Sequence, residues 1–387
     1  MLKKIFIKLL LILYRKQNHF ITHTKDRFNI ALGRDKVIYS EQSGFLPDIK
    51  NIERVAVIVI YPNKNIVPFI INLMDGFANN GFFVLAISHK NIPSEMSDAF
   101  RAHCHKLIEC FPIGKDFGCY KLGIDWVERQ PYLENMNTLA LANDSLYYPK
   151  DIEKTIRDLL ELNGNWLGLY ENFAMGRHVQ SFFQIFRNDA LKSEAFKRFW
   201  KNYKPLSSRV YCIENGEKGL TRALLKSGFQ PSVLYNSSVI RENVYKSLTC
   251  KNIDANFYGV FTKTLRIHNP KFAEEFVVKK KQPPTSSLPS YDLLKISEAS
   301  FYAGFLCENF NPTHNLGILI NSLFQAPIKR DICLKWSNFT FSEVVFFADG
   351  FTDSEKNSME RELRSNGNPA SIVFFSKRWF RLHSLVE

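Results

Sequence analysis

The sequence predicts an α/β protein built on a doubly wound, largely parallel sheet, and three stretches carry that prediction. Arg54-Val55-Ala56-Val57-Ile58-Val59-Ile60 is an almost uninterrupted apolar run, as expected of a strand buried on both faces. Val67 to Asn79 then places Phe69, Ile70, Leu73 and Phe77 at helical spacing, and Asn79-Asn80-Gly81 breaks that helix before a second apolar run, Phe82 to Ile87. Strand, helix and strand at this spacing make a parallel βαβ unit. The third stretch, Thr138-Leu139-Ala140-Leu141-Ala142, reads as another buried strand and ends in Asn143-Asp144-Ser145. Alternation of this kind argues for helices layered on both faces of one sheet.

With 387 residues the chain is long enough for two domains, or for one large domain with an appendage. Hydrophobic content of 45%, with 34 Phe, is enough to bury a sizeable core. Lys and Arg number 51 against 38 Asp and Glu, so the surface is basic and suits nucleic acid, an anionic membrane or phosphorylated small molecules. No spaced Cys/His finger and no aromatic RNA-binding stretch occurs, which removes nucleic acid from the expected partners. The seven cysteines, Cys104, Cys110, Cys119, Cys212, Cys250, Cys307 and Cys333, never form a C-x-x-C pair. They read as scattered, mostly buried thiols of a reducing compartment, not as a disulfide frame or a zinc site.

In chain order, residues 1–17 are basic and apolar, but the unbroken run Leu9 to Tyr14 is too short to span a bilayer and no small-residue cleavage site follows. On a helix Lys4, Lys8 and Arg15 share one face and Ile5, Leu9 and Ile12 another. This suits a helix lying on an anionic leaflet, with a core-packing helix as the alternative. Residues 18–50 carry no clear pattern. After the βαβ unit, Lys106 to Phe111 reads as a strand leading into Ile113-Gly114-Lys115-Asp116-Phe117-Gly118, then a helix to about Glu134. Asp151–Leu162 is an amphipathic helix with Ile152, Ile156, Leu159 and Leu160 on one side. Gln180–Phe186 is an apolar, Phe-rich run, Glu214-Asn215-Gly216-Glu217 an acidic turn, and Glu217–Lys226 a helix stopped near Gly228. Lys279 to Ser287 has linker composition. Asn311-Pro312-Thr313-His314 opens a further helical stretch that ends at Pro327-Ile328-Lys329-Arg330-Asp331.

Several of these residues have functional and structural readings side by side. Asn-Asp-Ser after a buried strand is common turn chemistry, yet a carboxylate at a sheet edge is also where open α/β folds bind ligands. Asp116 is placed at a strand end, where it would accept hydrogen bonds from a base or ribose, or at a helix N-cap. Arg177, His178 and Gln180 form a donor cluster suited to a diphosphate, while a histidine alone is more often structural. Glu217 stands at an inferred helix start, where the dipole stabilises a carboxylate whatever its role. His314 is a ligand contact or a cap.

Taken in order, Ala142-Asn143-Asp144-Ser145, Trp166-Leu167-Gly168, His178-Val179-Gln180-Ser181-Phe182-Phe183, Phe199-Trp200, Gly216-Glu217-Lys218-Gly219-Leu220-Thr221, Asn311-Pro312-Thr313-His314 and Pro327-Ile328-Lys329 resemble the rhamnan synthesis protein F family over roughly residues 52 to 335. That family builds rhamnose-containing bacterial surface polysaccharides. The resemblance implies a GT-A-like nucleotide-sugar domain at 51–250, preceded by a basic segment at 1–50 and followed by a mainly helical region at 251–387 completing the acceptor side. It implies an inverting transferase that uses dTDP-L-rhamnose on a lipid-linked glycan, peripheral on the cytoplasmic face of the bacterial membrane. Asn143-Asp144-Ser145 would take the place of the usual Asp-x-Asp, with Asp144 the one carboxylate left for Mg²⁺ or Mn²⁺, so a metal-independent mechanism stays open. Glu217 and Asp144 are the implied catalytic pair, Glu217 as base. Tyr61, Asp116, Asn143, Ser145, Arg177, His178, Gln180, His314 and Lys329 are the implied donor contacts. Asn165 stands where the family tends to have Asp. The competing class is a non-catalytic component that binds a glycan or a partner transferase, and a third reading is an anionic-lipid scaffold.

Overall fold

A computed structural model describes residues 21–89, 92–133, 135–174, 176–250, 252–279, 290–332 and 339–365. The basic segment 1–17 and most of the 279–287 linker lie outside them. In chain order the strands are β1 (Ile38–Ser43), β2 (Arg54–Ile60), β3 (Phe83–Ser88), β4 (Lys106–Cys110), β5 (Thr138–Asn143), β6 (Leu146–Tyr147), β7 (Trp166–Gly168), β8 (Glu171–Asn172), β9 (His178–Val179), β10 (Phe183–Arg187), β11 (Ser232–Val233) and β12 (Ile328–Lys329).

Eight of them form one sheet in the order β1-β4-β3-β2-β5-β10-β7-β11. β4, β3, β2 and β5 run parallel, β1 closes one edge antiparallel, and β10 lies antiparallel between β5 and β7. The expectation of an α/β sheet is borne out, with a mixed rather than wholly parallel outer half. β2 shows why its sequence is apolar at nearly every position. Ala56, Ile58 and Ile60 enter the core on one face, while Val55, Val57 and Val59 enter the core on the other. All six are fully buried, each large side chain contributing about 1.5–3 kcal/mol.

The first face is covered by the helices Val67–Asn79 and Ile152–Glu161. Lys115–Val127, Glu194–Asn202 and Lys218–Lys226 cover the second. Gly123 permits the close approach of Lys115–Val127 to the sheet, because a Cβ there would stand 2.6 Å from Val57 Cγ1 and 2.8 Å from Ile87 Cδ1. Beyond β11 the regular elements among the described residues are helices apart from β12, from Ser237–Thr249 to Asp353–Ser365. They extend the first-face core, which runs unbroken from Ala56 to Leu363. No helix among the described residues is long and apolar enough to cross a membrane.

Two local expectations are corrected. Asp116 is neither a strand end nor an N-cap: Gly114, at φ 77, caps the helix Lys115–Val127, and Asp116 lies in its first turn. The acidic stretch Glu214 to Glu217 is not a turn but part of a π-helical segment, Cys212–Glu217, that joins Arg209–Tyr211 to Lys218–Lys226. Glu217 therefore sits inside continuous helical backbone, and a free helix dipole does not explain it. Asn165 precedes β7, whose first residue pairs with the C-terminal half of β10, and Arg187 of β10 in turn pairs with Thr138, the start of β5. It lies at the edge of the sheet opposite Asp144, where its amide donates to Asp189 at 3.3 Å.

Candidate functional site

Parallel pairing of β2 with β5 brings their C-terminal ends together, Val59 opposite Asn143. This is also where the strand order reverses, from β4-β3-β2 on one side to β5 on the other, and such a reversal opens a crevice at the carboxyl ends of the strands. Asp144 is fixed there from three sides. Its amide donates to the Val59 carbonyl at 3.2 Å, its Oδ2 accepts the Tyr61 amide at 3.0 Å, and Arg330 Nη1 lies 3.3 Å from the same oxygen. Asn143 orders the turn in both directions. Its Oδ1 accepts the Ser145 amide at 3.0 Å, and its Nδ2 donates to Asp116 Oδ2 at 2.9 Å.

Asp116 reaches this point because Gly114 turns the chain and because Lys115 takes φ 50, a left-handed value uncommon for a residue with a side chain. Gly118 lets the first turn close tightly: a Cβ there would lie 2.0 Å from the Ile113 carbonyl oxygen. Tyr61 stacks on His89, ring centroids 4.8 Å apart, and His89 Nε2 donates to the Lys115 carbonyl at 2.6 Å. Burial raises the Asp116 carboxyl, with the Lys329 charge pulling it back. Burial pushes the Asp144 carboxyl up to about 6, against the opposing pull of Arg330. The Tyr61 hydroxyl is raised by burial and then by Asp116.

Glu217 faces the same region from the π-helical segment, its charge acting on Asp116. Ser181 Oγ donates to its Oε1 at 2.5 Å, and His178 Nε2 stands 3.7 Å from its Oε2. His178 Nδ1 is 2.7 Å from the Gly176 carbonyl, which can only accept, so that nitrogen carries a proton and Nε2 is the one turned to Glu217.

The remaining expected contacts are dispersed. Lys329 lies with its ammonium 4.5 Å from the centre of the Phe182 ring, close enough for its charge to act on Asp116. Gln180 donates to Asn311 Oδ1 at 3.0 Å and accepts from Thr313 at 3.4 Å, tying the sheet to the C-terminal helices. His314 pairs with Asp331 at 2.9 Å. Arg177 is turned to Glu171 at 2.5 Å on the β8–β9 hairpin and is not drawn into the carboxylate cluster.

Sequence reasoning missed Arg330, Glu362, Tyr147, His89 and Ser181. Arg330 also donates from Nη1 to the Asp144 carbonyl at 2.5 Å, while its Nε donates to Glu362 Oε1 at 3.0 Å. Glu362, fully buried on the helix Asp353–Ser365, accepts the Tyr147 hydroxyl at 2.5 Å. The sequence signals were the Lys329-Arg330-Asp331 cluster and, for Ser181, its place in the His178 to Phe183 motif; one Glu in a charged helix gives none.

The triplet is a poor fit to a divalent cation held by protein ligands. Asn143 is committed through both of its polar atoms, Asp144 Oδ2 meets an amide and a guanidinium, and no three His, Cys, Asp or Glu gather around a common point among the described residues.

Comparison with known proteins follows this geometry. Residues 84–255 match the family model of rhamnan synthesis protein F, which bears out over that part of the chain the resemblance read from its motifs. An uncharacterized protein of Sinorhizobium fredii is 25% identical over 204 residues, 51% of this chain and 52% of its own length. Virulence protein VirA of Vibrio anguillarum is 26% identical over 170 residues, 43% of this chain and 54% of its own. The chain thus spans about half the length of the curated relatives it matches. Among solved structures, the glycosyltransferase GlyE of Streptococcus pneumoniae TIGR4 overlaps 67% of this chain and 63% of its own at 15% identity and a TM-score of 0.31. An overlap that partial carries no argument.

Proposed function

We propose that the chain is an inverting glycosyltransferase with a GT-A-like nucleotide-sugar domain. The observation that carries this reading is the cluster of Tyr61, Asp116, Asn143 and Asp144 at the carboxyl ends of β2 and β5, where the strand order reverses, with Glu217 facing it. In this reading Tyr61 and Asp116 hold the nucleoside, Asn143, Asp144 and Ser145 order the strand end beside the diphosphate, and Lys329 supplies positive charge. Glu217 takes the proton from the acceptor hydroxyl as that oxygen bonds to the anomeric carbon. The bond from that carbon to the diphosphate breaks on the opposite face, and the nucleoside diphosphate departs. His178 and Ser181 orient Glu217.

The family match supports dTDP-L-rhamnose as donor, which on inversion of the β-linked sugar gives an α-rhamnoside, and a lipid-linked glycan of a surface polysaccharide as acceptor. An acceptor in the membrane favours a peripheral position on the cytoplasmic face, and the basic segment 1–17 suits such an anchor. The competing reading, a non-catalytic glycan- or partner-binding component, has one observation on its side: Asp144 is only 4% exposed and already ion-paired.

A thermal-shift panel of nucleotide sugars, each with and without Mg²⁺ or Mn²⁺, tests the proposal. A bound donor at a hundredfold excess over its Kd stabilises the fold by about 2.7 kcal/mol. A shift with one nucleotide sugar, followed by transfer to an acceptor, upholds the transferase. Donor binding without transfer or hydrolysis would hand the lead to the binding component.

A further inference from the structure

The residue that faces the strand-end carboxylate is a guanidinium. β12 pairs with β6, Lys329 opposite Leu146 and Ile328 opposite Tyr147, and the Arg330 amide donates to the Ser145 carbonyl at 3.1 Å. This ribbon attaches immediately after Asn143-Asp144-Ser145 and so delivers two consecutive cations to the end of β5. Arg330 touches both the carbonyl and Oδ2 of Asp144 through Nη1, and grips Glu362 Oε1 through Nε and Nη2. Glu362 is itself held by Tyr147, the residue of β6 that pairs with β12. About a fifth of the Arg330 side chain stays open to solvent.

We propose that Arg330 is the resident counter-ion of this site, held by Glu362 of the C-terminal helix where a divalent metal would otherwise meet Asp144, and that a nucleoside diphosphate binds against it without metal. The proposal rests on the nucleotide-sugar reading above. Two features favour it: Oδ2 of Asp144 is already paired with a cation, and the planar guanidinium, with Nη1 on Asp144 and Nε and one Nη2 hydrogen on Glu362, keeps a second Nη2 N–H for a phosphate oxygen. Lys329, next in the ribbon, adds a second charge beside Asp116.

The test has two arms. In the first, Mn²⁺ alone is titrated into the full chain and followed by electron paramagnetic resonance, with no nucleotide present. Wild type is expected to show no site that Asp144→Asn abolishes. In the second, dTDP, UDP and GDP are titrated calorimetrically in EDTA and again in Mn²⁺. The nucleotide that binds should do so with equal affinity in both, and Arg330→Gln should weaken it about tenfold or more, the loss of one charge-assisted hydrogen bond. Since Arg330→Gln alone strands two buried carboxylates, the paired variant Arg330→Gln with Glu362→Gln keeps the net charge of the cluster as in the wild type, and Arg330→Lys should recover part of the affinity.

A Mn²⁺ site in wild type that disappears in Asp144→Asn overturns the proposal. So does a tenfold loss of nucleotide affinity on chelation, or wild-type affinity in the folded paired variant. If no nucleoside diphosphate binds under either condition, the nucleotide-sugar reading fails and the diphosphate role of Arg330 fails with it. The Mn²⁺ arm still decides, on its own, whether Arg330 takes the place of a metal.

Discussion

Replacing Glu217 by Gln removes a proton acceptor while leaving almost every contact in place. Oε1 keeps its hydrogen bond from Ser181 Oγ, at 2.5 Å in the wild type. The new amide stands where Oε2 faced Nε2 of His178 across 3.7 Å. The structural cost is the difference between a charged and a neutral acceptor for Ser181, about 1 kcal/mol. The chemical cost is far larger if Glu217 is the base: removal of a general base slows turnover by about 10² to 10⁴, or roughly 3 to 5 kcal/mol on the barrier. The assay is transfer from a nucleotide sugar to acceptor, with the donor Kd measured separately. Expected are a donor Kd near that of wild type and kcat lower by that factor. A folded Glu217→Gln protein that turns over like wild type would refute the assignment, and Asp144 or Glu214 would be examined next.

Three further outcomes follow from geometry. The Asp144 carboxyl, raised from 3.8 to about 6 on folding, holds a proton between those values that the unfolded chain has released. Its contribution to stability is therefore full at low pH and falls by about 3 kcal/mol as pH rises through 6. Urea melts of wild type minus Asp144→Asn should slope downward across that window, and parallel curves would contradict it. Gly118→Ala would drive a Cβ to 2.0 Å from the Ile113 carbonyl, so the first turn carrying Asp116 must shift. We expect a loss of about 1–3 kcal/mol in denaturant melts together with weaker nucleotide binding, and an unchanged midpoint would show that the turn relaxes freely. Tyr147→Phe deletes the hydroxyl donated to buried Glu362 and should cost about 1.5–3 kcal/mol by the same measurement, a smaller loss meaning that water replaces it.

The central strands were legible because both of their faces are buried. A strand such as β2, with Val55 to Ile60 shared between two cores, has no polar face to confuse the pattern. β1 was missed for the opposite reason. It is an edge strand whose side chains alternate between half-buried and exposed, with Tyr39 open to solvent, so Ile38 to Ser43 reads as mixed sequence. β8, β9, β11 and β12 are two residues long and have no period to detect. Asn215-Gly216 signals a turn in any sequence, yet Gly216 is helical and buried, a Cβ there falling 2.9 Å from the Phe117 ring. That contact belongs to tertiary packing and leaves no local trace. The strand-end carboxylate was visible because Asn-Asp-Ser after an apolar run is a local pattern. Its partner Arg330 was not, because nothing links residues 186 positions apart except the fold.

That separation has a consequence for how the chain is made. Ribosomes release residues at about 5–20 per second, so Asp144 emerges roughly 10 to 40 seconds before Arg330, and Glu362 follows 32 residues later still. For that interval the nascent sheet carries a strand-end carboxylate without its guanidinium partner, and the apolar face of Ala56, Ile58 and Ile60 lacks the C-terminal helices that extend its core. Among the described residues the last helix to leave the ribosome, Asp353–Ser365, is the one that brings Glu362 to the guanidinium beside the end of β5. A chain stalled or clipped before residue 362 would therefore be left with the layout of its site but not its electrostatics.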